Sequence, residues 1–142
     1  MTMDVSRLLA WLARCPLGPI QLAMRISVGG VFFNSGLLKI ASWEFAIKLF
    51  EDEYQVPVLS PLWAARLATV NELIFPVLLF IGFATRLATL PLLGMVLVIQ
   101  IFVYPQAWNE HLLWASVLVF LLTRGPGPYS FDELIARRYR TS

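Results

Sequence analysis

Within the apolar run LWAARLATVNELIFPVLLFIGF, residues 62–83, stand an amide and a carboxyl group, Asn71 and Glu72. A carboxyl group at such a place can move a proton, pair with a buried cation, or ligate a divalent metal ion. Other side chains of the same kind punctuate other apolar runs. Arg25 and Lys39 flank the first, Gln100 sits near the end of the third, and Asn109, Glu110 and His111 open the fourth. Lys39 or Gln100 can hold a ligand oxygen, and Glu72 or His111 can exchange a proton with it. Glu72, Glu110 and His111 are the candidate set for copper or zinc. The expected ligand-binding residues are therefore Arg25, Lys39, Asn71, Glu72, Gln100 and His111.

These groups need elements that bring them together. The chain has 142 residues, of which 58% are hydrophobic and 14% charged, with a mean hydropathy of +0.72. Soluble domains are nearer to about 25% charged, so the composition predicts an integral membrane protein. Four apolar blocks approach the roughly 20 residues that cross a bilayer: residues 20–38, 62–83, 87–104 and 107–123. Backbone polar groups in hydrocarbon must be satisfied within the segment, so the blocks are expected to be helices. The prediction is an all-α, four-helix transmembrane bundle in a single membrane domain over residues 1–142.

Two short helices are expected beside the bundle. In SWEFAIKLFEDEYQVP, Trp43, Ile47, Phe50 and Tyr54 recur at helical spacing, with Ser42 as a candidate cap and Pro57 beyond the end. This predicts an amphipathic helix on the outer surface between the first two spans. Its acidic side is either solvated or a docking face for a cationic partner. In the tail, the breaker GPGP precedes SFDE, where Ser130 and Glu133 match a capping box. A short inner C-terminal helix should follow. The N-terminal SRLLAWLARCP reads as an amphipathic lead-in lying on the membrane and not as a cleaved leader.

Arginine and lysine set the expected orientation. Arg7, Arg14, Arg86, Arg124, Arg137, Arg138 and Arg140 lie on one side if four helices alternate, against Lys39, Lys48 and Arg66 on the other. Both termini are therefore expected in the cytoplasm, with Arg86 as a topology signal. The net charge of +2 needs no nucleic acid, because the tail arginines can meet anionic headgroups. The single cysteine, Cys15, rules out an intrachain disulfide-exchange pair and is expected to be a buried small residue.

Helical geometry orients the polar groups. At 100° per residue, Arg25, Gly29, Phe32, Gly36 and Lys39 form one stripe, with Asn34 off it. Ala65, Ala68, Thr69 and Glu72 share another face. Small residues there permit a close helix pair, so Glu72 should point inward at mid-depth, paired with Lys39 or Arg25 or serving a ligand. Pro76 cannot donate to the Glu72 carbonyl and is expected to kink the helix. Arg25 and Lys39 can equally be end anchors, and His111 an interfacial residue bonded to a carbonyl.

The stretches RISVGGVFFNSGLLKI, NELIFPVLLFIGFATR and GPGPYSFDEL resemble the DoxX family of small bacterial membrane proteins. The matching residues are Arg25, Gly36, Lys39, Glu72, Gly82, Thr85, Arg86, Gly125, Gly127, Ser130 and Asp132. LFEDEYQVP and YPQAWNEHLLWA are similar to a branch found in gene clusters for metal-responsive, post-translationally modified peptides, which would implicate Tyr54, Pro57, Trp108, His111 and Trp114. The resemblance implies an inner-membrane protein. It implies a quinone-linked oxidoreductase subunit or the accessory of a redox-defence or modified-peptide partner, and no stand-alone enzyme. Quinone is the cofactor so implied. Gly29, Gly36, Pro76, Arg86, Ser130 and Asp132 are expected to be structural. A metal-handling or small-solute transport accessory, and a ligand-free assembly partner or homo-oligomer, are the alternatives.

Overall fold

The computed structural model describes residues 4–140, and every regular element among them is helical. Helix α1 (Val5–Ala13) is capped by Asp4, whose carboxylate accepts from the Ser6 amide and hydroxyl. It buries no residue, and Leu9 and Trp11 are exposed. Helix α2 (Leu17–Ala41) starts after Pro16 and ends at Ser42. Helix α3 (Trp43–Leu49) follows at once and runs into a π-helical turn, Phe50–Tyr54. Ser42 occupies the cap position of α3 but makes no side-chain cap bond, a correction to the expected cap. The short gap between α2 and α3 leaves its backbone off the usual capping geometry.

Helix α4 (Pro61–Ile81) opens on a proline, where a missing N–H costs nothing, and continues through the buried Pro76. It stops at Gly82 in the left-handed region, φ +70°. The Gly82 amide donates to the Leu79 carbonyl and the Phe83 amide to that of Leu78, which closes a Schellman motif. Helix α5 (Thr85–Val98) ends in a second π-helical turn, Ile99–Val103. Helix α6 (Trp108–Arg124) stops at Gly125, and α7 (Phe131–Arg140) is the last element.

Four long helices pack side by side. Helix α2 lies along α4, α4 along α5, α5 along α6, and α6 closes back on α2. Call the end with Ala41, Pro61 and Trp108 the upper end, and that with Leu17, Ile81 and Arg124 the lower. The small-residue stripe of α2 sets the closest approach. A Cβ on Gly29 would sit 2.7 Å from the Phe80 ring, and one on Gly36 would sit 2.9 Å from Leu73. Val28, Phe32, Leu79, Leu92, Val96, Leu118 and Leu121 form the main core. A second cluster of Phe50, Ala64 and Ala65 seats the α3 segment over the first turns of α4.

The outer surface is apolar as well. Leu67, Val70, Ile74, Leu87, Leu90, Leu97 and Leu113 are all exposed, the reverse of a water-facing surface. Helix α4, and α5 taken through Val103, are each long and apolar enough to cross a membrane. Cys15 is exposed, which corrects the expectation that it is buried. It lies in the link between α1 and α2.

Candidate functional site

The stripe on α2 and the small face of α4 bring Lys39 and Glu72 together. Lys39 Nζ donates to both carboxylate oxygens of Glu72, at 2.7 and 2.9 Å. It also reaches Ser35 Oγ at 2.8 Å, and that hydroxyl lies 3.1 Å from Glu72 Oε1. The Glu72 side chain is 4% exposed and that of Lys39 13%. A buried ion pair holds together only when the remaining hydrogen-bonding capacity is satisfied, which Ser35 helps to do. Thr69, one turn away, returns its hydroxyl to the Ala65 carbonyl.

Asn71 faces the α4–α5 seam. Its Nδ2 donates to the Pro91 carbonyl at 3.2 Å. That partner accepts only, so the amide orientation is fixed. Its Oδ1 is buried and accepts from no group.

His111 and Gln100 form a third polar unit. Gln100 Nε2 donates to the Pro105 carbonyl at 2.9 Å, which turns its Oε1 toward His111 Nδ1 at 2.6 Å. An amide oxygen only accepts, so the proton sits on Nδ1 and a neutral ring keeps Nε2 as an acceptor. The partner is thus a glutamine side chain and not the carbonyl expected. The imidazole also meets the Trp114 ring at a tilt of 54°, centroids 5.4 Å apart.

A cavity of about 650 Å³ lies between these units. All four long helices and the α3 segment line it. Lys39, Glu72, Ser35, Asn71 and His111 give it polar points, and Phe32, Phe50, Phe75 and Trp114 give it aromatic walls. Gln100 stays behind His111 and lines only a smaller apolar cleft. At the upper mouth, Tyr104 donates to Glu53 at 2.8 Å, and its ring meets that of Tyr54 edge-on. The hydrogen bond with Tyr54, aided by burial and by Glu53, pushes the Tyr104 hydroxyl well above its usual range. Sequence reading gave Tyr104 no place among the candidate site residues. The aromatic residues gathered at the upper helix ends were the available signal.

Arg25 is not part of this cavity, a correction to its grouping with Lys39. It is fully buried at the lower end, where its guanidinium donates to the carbonyls of Leu79, Phe80 and Tyr129. Helical periodicity put it on the correct face of α2, but the two residues stand 14 positions apart, or roughly 21 Å along the axis. Nor do Glu72, Glu110 and His111 converge as a metal centre. Among the described residues no group of three or more His, Cys, Asp or Glu side chains gathers. Glu72 is held by Lys39, and Glu110 is exposed at the edge of the cavity while His111, about 100° further round α6, is buried.

The remaining motif residues build a clasp at the lower end. The Asp132 carboxylate accepts from the amides of Ala84 (2.8 Å) and Thr85 (2.9 Å), and its own amide donates to the Gly82 carbonyl. Ser130 Oγ donates to the Gly127 carbonyl and accepts from the Glu133 amide, the expected cap of α7. Gln21 Nε2 donates to the Gly125 carbonyl, and the exposed Arg86 reaches over the same glycine. A Cβ on Gly82 would collide with Arg25 and Ser130.

Comparison with known proteins agrees with this arrangement of motifs. An uncharacterized protein of Haemophilus influenzae is 30% identical over an alignment that spans 87% of this chain and 88% of the relative. No solved structure matches the chain. The sequence model of the DoxX family matches residues 20–105, from α2 to the end of α5 and so across Lys39, Glu72 and Asn71. The chain belongs to the DoxX family of membrane-associated proteins.

Proposed function

We propose that the chain is a four-span inner-membrane subunit that holds the headgroup of a lipid-soluble quinone and serves a redox enzyme as an accessory. In this reading α2, α4, α5 and α6 all cross the bilayer, residues 1–142 make one membrane domain, both termini are cytoplasmic, and the upper end faces outward. The observation that carries it is the cavity. Its volume falls in the range of small-molecule sites, and few polar points set among aromatic walls are what a flat ring with two oxygens requires. Lys39, whose three N–H groups are held by Glu72 and Ser35, would release one of them to a ring oxygen, while Asn71 and His111 Nε2 are acceptors for a hydroxyl. A bound quinone would supply the redox chemistry, and the chain's own residues would hold and orient it. The single cysteine leaves no intrachain dithiol, so electrons would come from a partner. The absence of a three-ligand cluster among the described residues takes away the donor set on which a metal-handling role would rest.

The test is solvent extraction of the purified protein, with quinone and metal content read by mass spectrometry. Near-stoichiometric quinone that is lost in Glu72→Gln is the expected result. A protein that carries no quinone and takes up none when supplied is an assembly partner instead.

A further inference from the structure

Two parts of the cavity wall differ in kind. The upper mouth is edged by polar groups, Glu53, Tyr104 and Glu110. The other lies in the seam between α4 and α5. Leu67 and Val70 on α4 and Gly94 on α5 all line the cavity, yet all three are exposed. Leu67 is 53% accessible and Val70 51%. A residue that both lines a cavity and reaches the exterior marks a place where the wall is thin. At Gly94 there is no side chain to fill it, and a Cβ built there would meet nothing within 4 Å. One turn lower, the bond from Asn71 to the Pro91 carbonyl ties the two helices and closes the seam.

The position of the gap decides what can pass. Helices α4 and α5, the latter taken through Val103, are the two helices suited by length and composition to cross a bilayer. Val70 and Gly94 each fall at or beside the midpoint of their span. The gap thus falls at the depth of the hydrocarbon, and above the Asn71–Pro91 bond its rim of Leu67, Val70 and Gly94 is apolar. A hydrated ion or sugar would have to shed its water before reaching it. An alkyl or isoprenoid chain meets no such cost.

The geometry points to the α4–α5 seam at Gly94 as the subsite for the apolar tail of a single-tailed lipid whose ring occupies the cavity. The molecule comes and goes sideways through the membrane, and its tail rests between Leu67, Val70 and Gly94. This rests on the cavity being a ligand site, and it adds the place of the tail and the route.

The test uses the full chain in lipid nanodiscs and two probes, a benzoquinone with a long alkyl tail and the same ring without one. Binding is read from quenching of tryptophan fluorescence. Gly94→Leu fills the gap from an open position, and Gly30→Leu is the matched control, since a Cβ there also meets nothing within 4 Å and Gly30 lies off the cavity. Gly94→Leu is expected to weaken the tailed probe by about tenfold or more, because the tail loses its buried contact. It should leave the tailless ring within about twofold, and Gly30→Leu should leave both probes unchanged. Equal binding of the tailed probe to Gly94→Leu and to the unaltered protein overturns the seam while leaving the cavity reading intact. If neither probe binds the unaltered protein, both fall. Monodisperse elution and an unchanged thermal midpoint for Gly94→Leu certify that the variant is folded.

Discussion

Removing either partner of the Lys39–Glu72 pair strands a charge away from water. Breaking a buried pair in this way costs about 3–5 kcal/mol, far more than the pair contributes relative to neutral residues. Lys39→Met is expected near the lower end of that range, because it leaves the carboxylate, 4% exposed, with only Ser35. Glu72→Gln should cost less, since Lys39 keeps Ser35 and some access to solvent. The double variant K39M/E72Q should recover most of the loss. Thermal midpoints in detergent would show this as strong non-additivity, whereas losses that simply sum would mean that the two are not coupled. Much of this pair was legible in the sequence, because 100° steps place Lys39 on the glycine stripe and Glu72 on the small face of α4. The choice of Lys39 over Arg25 was not legible. Periodicity gives the face of a helix but not which neighbouring backbone offers carbonyls, and those of Leu79 and Phe80 lie in the last turn of α4, beside Gly82.

At the scale of elements, the two ends of the bundle do different work. The lower end is fixed by backbone bonding, with α5 capped by a residue 47 positions beyond its start. Asp132→Ala should cost about 1–2 kcal/mol as a lost cap. Gly82→Ala should cost well over about 1 kcal/mol, since φ is +70° and the added carbon has no room. Both losses should appear in the thermal midpoint while the surviving folded protein binds quinone with unaltered affinity. A changed affinity at full folding would show that the clasp reaches the cavity. The cap at Ser130 was readable locally, although the Glu133 carboxylate turns to Arg137 and Arg140 and does not complete the capping box. The reach of Asp132 to Ala84 was not, because nothing in a span of residues says which distant helix start lacks a cap. The same holds for the Tyr54–Tyr104 contact, which depends on two π-helical turns meeting.

For the molecule as a whole, the packing of α2, α4, α5 and α6 follows from composition and block length, and the order of the helices came directly from the apolar runs. The proposed topology has a convenient reporter. Cys15 is the only cysteine in the chain, and it is exposed at the lower end. An impermeant maleimide should label it in inverted membrane vesicles and not in intact spheroplasts. Labelling of the spheroplasts would place the lower end, and the tail clasped to it, outside.

The clasp also has a consequence for the order of events during synthesis. The segment that closes it is translated after all four long helices. Until then Arg25 can reach the carbonyls of Leu79 and Phe80 but not that of Tyr129, and the start of α5 waits uncapped. The bundle can therefore gather early but can lock only late. A ribosome that stalls before Asp132 would release a chain with every long helix made and its lower end still unfastened.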